Sequence, residues 1–104
     1  MMDSTIDGYS AVKRFIRDHP DWTQIVMACL IEADSTRDSP GEFAGAWVLQ
    51  KAKDRGVAWF PNLRPLVTYE ILKRTGGSRG GRRAYYMMPD PEGVKRALAE
   101  IGVA

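Results

Sequence analysis

The stretch VTYEILKRTGGSRGGRRAYYMM, residues 67–88, decides the fold of this chain. Its first half has the composition of a helix, its centre holds two glycine pairs that flank a serine and an arginine, and it ends in an aromatic run. Glycine permits tight turns, and aromatic residues are enriched in strands. The stretch therefore predicts the end of a helix followed by a β-hairpin over residues 76–88, with Arg79 at its tip.

The helix before this hairpin is predicted over residues 62–74. Asn62 is a suitable N-terminal cap, and Pro65 fits the first turn of a helix. The apolar residues lie around much of the helix circumference, which leaves two registers open. One register buries Leu63, Leu66, Val67 and Ile71. The other buries Thr68, Ile71 and Leu72. In both registers Tyr69 and Lys73 point outward.

Four further helices are predicted from apolar spacing and helix-end signals, over residues 7–17, 20–33, 40–55 and 90–101. The second has a complete apolar stripe, formed by Trp22, Ile25, Val26, Cys29, Leu30 and Ala33. In that stripe Cys29 is interpreted as a small buried hydrophobic residue. Trp47 and Trp59 are also assigned to the core, although Trp59 has an alternative place in a partner-facing patch.

The ends of these helices carry their own signals. Ser39 and Glu42 have the spacing of a capping box at the start of the third helix. Gly56 is suited to the left-handed turn that ends it. Asp90 caps the last helix, and Gly102 stops it.

Length and composition indicate one domain with a hydrophobic core. The chain has 104 residues, of which 44% are hydrophobic, with a single cysteine and a single histidine. An intramolecular disulfide is impossible, and we expect no metal, no cofactor and no catalytic activity, because neither a ligand set nor a nucleophile–base pair is recognisable. The start of the chain lacks the basic and apolar regions of a signal peptide. We expect a cytoplasmic, nucleoid-associated protein without membrane contact.

Charge is divided unevenly along the chain. Residues 1–50 carry four basic and eight acidic side chains, a net charge of −4, whereas residues 51–104 carry eleven basic and five acidic side chains, a net charge of +6. The basic half suggests a charged face that meets a polyanion. Six of its cations lie between residues 64 and 83, opposed only by Glu70.

The same stretch, VTYEILKRTGGSRGGRRAYYMM, resembles the recognition helix and wing of winged helix-turn-helix transcription regulators. The resemblance covers roughly residues 22–88. It implies a mainly α fold with a small β-hairpin (α+β), about five helices plus a wing, in a single domain. Residues 1–19 would then be an N-terminal helical extension, 20–88 the winged-helix core and 89–104 a C-terminal helix. The connector between the paired helices is longer than usual, and the outgoing wing strand is short.

The predicted function is binding to double-stranded DNA, as a small transcription regulator or an accessory module. Arginine can bind a phosphate or a guanine edge with two parallel hydrogen bonds. The candidate DNA-binding residues are Arg64, Tyr69, Lys73, Arg74, Arg79, Arg82 and Arg83. Arg64 is expected on phosphate, Tyr69 and Lys73 in a groove, and the resemblance implies the minor groove or flanking backbone for Arg79. Strand alternation places Arg82 and Arg83 on opposite faces.

Three alternatives remain open at this level. Tyr69 is equally compatible with half-buried packing against the wing. The whole domain is also compatible with a protein-interaction module of a larger assembly, docking a partner on Leu63, Leu66 or Trp59. A homodimer through the terminal helices, residues 7–17 and 90–101, is plausible by analogy with winged-helix regulators. No small-molecule ligand site is recognisable.

Overall fold

The structure, a computed structural model, describes residues 7–36, 42–58, 62–76 and 84–103. Helices predominate, and three short strands form one antiparallel sheet. In chain order the elements are α1 (Gly8–Asp18), a 3₁₀ turn (Pro20–Trp22), α2 (Thr23–Thr36), β1 (Phe43–Ala44), α3 (Gly45–Asp54), α4 (Arg64–Thr68), β2 (Lys73–Gly76), β3 (Tyr85–Met87) and α5 (Pro91–Ile101). The predicted combination of helices with a small amount of β structure is confirmed at this level.

The sheet has the order β1-β3-β2, with β3 in the middle. Consecutive strands β2 and β3 pair antiparallel, as the predicted hairpin requires. Its predicted bounds, 76–88, are wrong at the start, because β2 spans Lys73–Gly76, and the expected tip at Arg79 lies outside the described residues. Along β3 and its flanks, Ala84, Tyr86 and Met88 are buried, while Tyr85 and Met87 are half-buried. This alternation defines an inner face towards the core and an outer face, to which Tyr85 and Met87 belong.

The core is built around α2. Ile25, Val26, Cys29, Leu30 and Ala33 are all buried, which confirms the stripe, whereas Trp22 is only half-buried. Burial raises the pKa of the Cys29 thiol, because the thiolate would lose its hydration. The thiol therefore stays protonated and packs as a small hydrophobic group.

The two terminal helices pack against each other at their N-terminal ends. Asp90 accepts hydrogen bonds from Gly93 N of α5 at 3.1 Å and from Gly8 N of α1 at 2.9 Å, so one carboxylate serves both helix starts. Glycine is needed at this crossing, because a Cβ on Gly8 would lie 2.7 Å from the backbone oxygen of Asp90. The predicted cap at Asp90 and stop at Gly102, whose φ is 100°, are confirmed.

The predicted helix over residues 40–55 is correct at its end and wrong at its start. Gly56, with φ 93°, follows the last turn as expected. Phe43 and Ala44, however, form β1 and pair with Tyr86 and Tyr85, and α3 begins only at Gly45. Backbone pairing with β3 outweighs the helix-start signal at Glu42, and Ser39 lies outside the described residues.

The predicted helix over residues 62–74 is wrong in length, because α4 has five residues and ends at Thr68. Glu70 adopts a left-handed backbone with φ 65°, and its amide donates to Val67 O at 3.0 Å. Ile71 N donates to Leu66 O at 2.9 Å. This hydrogen-bond pair is the Schellman motif, which usually has glycine at the left-handed position. A glutamate there hides the helix end from sequence analysis.

Candidate nucleic-acid interface

Arg64 occupies the first position of α4 and its side chain is exposed. The side-chain oxygen of Asn62 accepts a hydrogen bond from Arg64 N at 2.8 Å, which fixes the entry into the helix. Leu63 and Leu66 are buried at 2% and 0% exposure and hold α4 on the core. Arg64 and Thr68, one turn apart, are therefore left on the exposed side of the same short helix.

Lys73 and Arg74 lie on β2 and not on a helix, which corrects their predicted setting. Both side chains are exposed, and β2 is an edge strand, paired only with β3 in the described sheet. Lys73 is opposite Met87, and Arg74 is opposite Tyr86. Arg74 Nε donates to Gly76 O at 3.4 Å, across an irregularity in the strand pairing between Arg74 and Gly76, so this guanidinium bends along the strand towards Gly76.

Only four residues, 69–72, separate α4 from β2. Ile71 N and Leu72 N both donate to Leu66 O, at 2.9 and 3.2 Å, which folds this connection back against the helix. Ile71 and Leu72 are both buried, so neither helical register of the sequence analysis is correct as stated. The tight return means that β2 begins five residues after the last residue of α4. We call the exposed cations of this region, Arg64, Lys73 and Arg74, the α4–β2 cations.

Tyr69 does not point outward, contrary to the prediction. Its ring contacts those of Phe15 and His19, with centroid distances of 5.0 and 5.8 Å, and its hydroxyl donates to Asp18 Oδ2 at 2.8 Å. The physical reason is the early end of α4, because Tyr69 is the C-terminal cap residue and no longer follows the helical spacing. The half-buried alternative was correct about burial but named the wing as the partner, whereas the partner is α1.

The contact between Tyr69 and Asp18 is also electrostatic. The hydrogen bond from Tyr69 lowers the pKa of Asp18, since it stabilises the carboxylate. The same bond raises the pKa of the Tyr69 hydroxyl, because losing the proton would place a second negative charge beside the carboxylate. Tyr69 thus connects α1 to the end of α4 and has a structural partner within the chain.

The remaining candidate residues, Arg79, Arg82 and Arg83, lie outside the described residues, as does Trp59. The three arginines belong to the connection 77–83 between β2 and β3. The proposed docking of a protein partner on Leu63 or Leu66 is wrong for the described structure, because both side chains are buried in the core.

Sequence analysis missed an exposed aromatic pair. Trp47, which it assigned to the core, is 48% exposed, and its ring meets Tyr85 edge-to-face at a centroid distance of 6.4 Å. Val48 and Ala52 are the residues of α3 that face the core. Their spacing of four residues is the signal that would have placed Trp47 off the buried stripe.

Within the described ranges, no group of three or more His, Cys, Asp or Glu side chains is arranged to hold a metal ion. None of the helices described there is both long and apolar enough to cross a bilayer. Comparisons with protein-family models, with curated proteins and with solved structures give no match.

Proposed function

We propose that this protein is a winged helix-turn-helix module that binds double-stranded DNA through the α4–β2 cations and the arginine-rich connection 77–83. The observation that carries the proposal is the exposure of Lys73 and Arg74 on a hairpin that directly follows α4. That order, a helix pair followed by a hairpin, is the order implied by the resemblance of residues 67–88 to a recognition helix and wing.

The charges of this region support a polyanionic partner. Lys73 and Arg74 are adjacent on β2, and the connection that follows contributes Arg79, Arg82 and Arg83 within seven residues. DNA binding releases counterions when cations replace them at the phosphates, so clustered exposed cations are the main source of affinity. Arg64, at the start of α4, adds a cation from the helix that precedes the hairpin.

Tyr69 is not part of the proposed contact, because it is engaged with Asp18 and Phe15. Base contact by α4 therefore depends on the side chains that remain exposed on it, Arg64 and Thr68. So short a helix has few positions for reading bases. We infer that phosphate contacts by the hairpin contribute more to affinity than base contacts by α4.

The test is a fluorescence-anisotropy titration of a labelled duplex at several salt concentrations. The parent is expected to bind with an affinity that falls as salt rises, and the double variant Lys73→Ala/Arg74→Ala should bind more weakly with a shallower dependence. Each lost phosphate contact makes the plot of log binding constant against log salt concentration shallower by about 0.9.

A matched control is Lys95→Ala, which removes an exposed cation from α5, on the terminal helix pair. It should bind DNA as the parent does. If Lys95→Ala weakens DNA binding as much as Lys73→Ala/Arg74→Ala does, the positive charges of β2 act only through the net charge of the protein. The assigned DNA-binding surface is then wrong. A parent that binds no duplex even at low salt contradicts the proposal as a whole.

A homodimer through the terminal helices stays a prediction. Since α1 and α5 pack on each other within one chain, a second copy would meet their outward sides. On these outward sides, among the described residues, the exposed large apolar side chain is Ile101 of α5, which is 39% exposed.

A further inference from the structure

The most exposed large apolar side chain of the described residues is Trp47, in the first turn of α3. Its neighbour Tyr85 is on the outer face of the sheet and half-buried. The two rings are nearly perpendicular, at 84°, with centroids 6.4 Å apart. In an edge-to-face pair at most one face of the indole is covered by the phenol ring, so at least one indole face is not in contact with Tyr85.

The pair lies at the base of the hairpin connection. Tyr85 is the first residue of β3 and is opposite Gly76, the last residue of β2, so the pair lies at the end of the sheet where β2 stops and β3 starts. Gly45 N donates to Ala84 O at 2.9 Å, which fixes the start of α3 to the same point. Trp47 therefore follows a backbone contact to Ala84 by two residues and lies beside the end of the sheet where β2 stops and β3 starts.

The charges around the pair suit a phosphate backbone. Arg74 Nε contacts Gly76 O, which brings its guanidinium to the strand position opposite Tyr85. Lys51 follows Trp47 by one helical turn on α3. The acidic residues nearest in sequence to the pair are Glu42 and Asp90. Glu42 comes before Phe43 of β1 and so lies towards the Met87 end of the sheet, and the carboxylate of Asp90 accepts hydrogen bonds from Gly8 N and Gly93 N.

We propose that Trp47 and Tyr85 form a stacking platform for an unpaired nucleobase, so that the protein binds a duplex with a single-stranded tail more tightly than a blunt duplex. This inference rests on the proposed DNA-binding function and specifies its substrate. Aromatic rings stack on any base regardless of sequence, and neighbouring cations hold the backbone of the strand. One stacked base strengthens binding by about tenfold.

The experiment compares three labelled DNAs by anisotropy at one salt concentration: a blunt duplex, the same duplex with an oligothymidine tail at its 3′ end, and the same duplex with that tail at its 5′ end. The parent should bind at least one tailed duplex about tenfold more tightly than the blunt duplex. Trp47→Ala should abolish this advantage and leave the affinity for the blunt duplex unchanged.

Two matched variants separate stacking from general apolar contact. Trp47→Phe keeps an aromatic ring and should retain most of the preference for the tail, whereas Trp47→Leu keeps apolar area without a ring and should lose it. Since Trp47 is half exposed, these substitutions leave the core intact, and circular dichroism verifies the fold. Lys73→Ala/Arg74→Ala should weaken binding to the blunt duplex and to the tailed duplexes alike.

The results that overturn the inference differ from those that overturn the proposed function. A parent that binds blunt and tailed duplexes equally, or a Trp47→Leu variant that keeps the preference, excludes the stacking platform while DNA binding stands. A parent that is dimeric by light scattering, with a monomeric Trp47→Ala variant, assigns the pair to a protein interface instead. Failure to bind any of the three DNAs overturns the proposed function itself.

Discussion

Glu70 is held in a conformation that few side chains other than glycine adopt, with φ 65°. A left-handed backbone brings the Cβ of an L-residue close to the following carbonyl oxygen and costs about 1–2 kcal/mol. The structure accepts this cost because the turn places both Leu66 and Ile71 in the core, at 0% and 1% exposure. One strained residue therefore sets where α4 ends and where β2 begins.

Replacing this glutamate by glycine is expected to stabilise the protein. Glu70→Gly removes the left-handed strain but adds chain entropy to the unfolded state, which leaves a net gain of about 0.5–1 kcal/mol in the free energy of unfolding. Urea denaturation measures the gain. Glu70→Ala is the matched control, because it removes the charge and keeps the Cβ; if it stabilises as much as glycine, the gain comes from charge and not from backbone strain.

Glu100 of α5 contacts two side chains of α1. Its carboxylate accepts hydrogen bonds from Lys13 Nζ and Tyr9 Oη, both at 2.6 Å. The bond from Lys13 is the main reason why the pKa of Glu100 lies below its ordinary value of 4.5, with the bond from Tyr9 second. A carboxyl group with a lowered pKa in the folded state stabilises the fold above its ordinary pKa, and this contribution is lost as the pH falls through the lowered value.

The stability of the protein should therefore fall on acidification, in part through Glu100. In Glu100→Gln the free energy of unfolding should depend less on pH below 4.5 than in the parent, and the two proteins should differ most at neutral pH. Urea denaturation between about pH 6 and pH 3 measures both. Lys13→Met, which removes the first partner, should make the dependence shallower too, and pH profiles identical to the parent's would contradict this role for Glu100.

At the level of elements, helix ends with glycine were predictable and those without it were not. Gly56 and Gly102 follow α3 and α5 as the sequence indicates, with φ of 93° and 100°. The end of α4 at Thr68 was missed because Glu70 takes the glycine position, and this single error carried Tyr69, Lys73 and Arg74 into a wrong helical frame. The start of α3 was missed because β1 exists only through pairing with β3, a contact between residues far apart in sequence.

The crossing of α1 and α5 could not be predicted from either helix alone. Gly8 weakens the start of α1 by helix propensity, but the structure uses it to bring the two helices together over Asp90. A Cβ at this position would lie 2.7 Å from Asp90 O and 3.1 Å from Val94 Cγ2. The helices would have to separate to make room.

Gly8→Ala should therefore destabilise the protein by about 1–3 kcal/mol in thermal or urea denaturation, despite the better helix propensity of alanine. The control is Gly76→Ala, where an added Cβ meets nothing within 4 Å and the expected change is small. Equal losses of stability in Gly8→Ala and Gly76→Ala would show that the close crossing of α1 and α5 does not exclude a Cβ at residue 8.

At the level of the whole molecule, the core and the charged surface come from different parts of the sequence. The apolar periodicity of α2 identified Ile25, Val26, Cys29, Leu30 and Ala33 as buried, because a helical stripe can be recognised without knowledge of the elements that pack on it. The candidate site was only partly predictable. Arg64, Lys73 and Arg74 are exposed as required, but Tyr69 belongs to the contact with α1 and Trp47 replaces it as the exposed aromatic.

The most direct test of the central claim is a map of amide chemical-shift changes in the labelled protein as duplex DNA is added at low salt. We predict that the largest changes fall on Arg64, on Lys73 and Arg74, and within the connection 77–83, and that added salt reverses them. Changes confined to α1 and α5, or no changes at low salt, would contradict the claim that the hairpin and the helix before it are the DNA-binding surface.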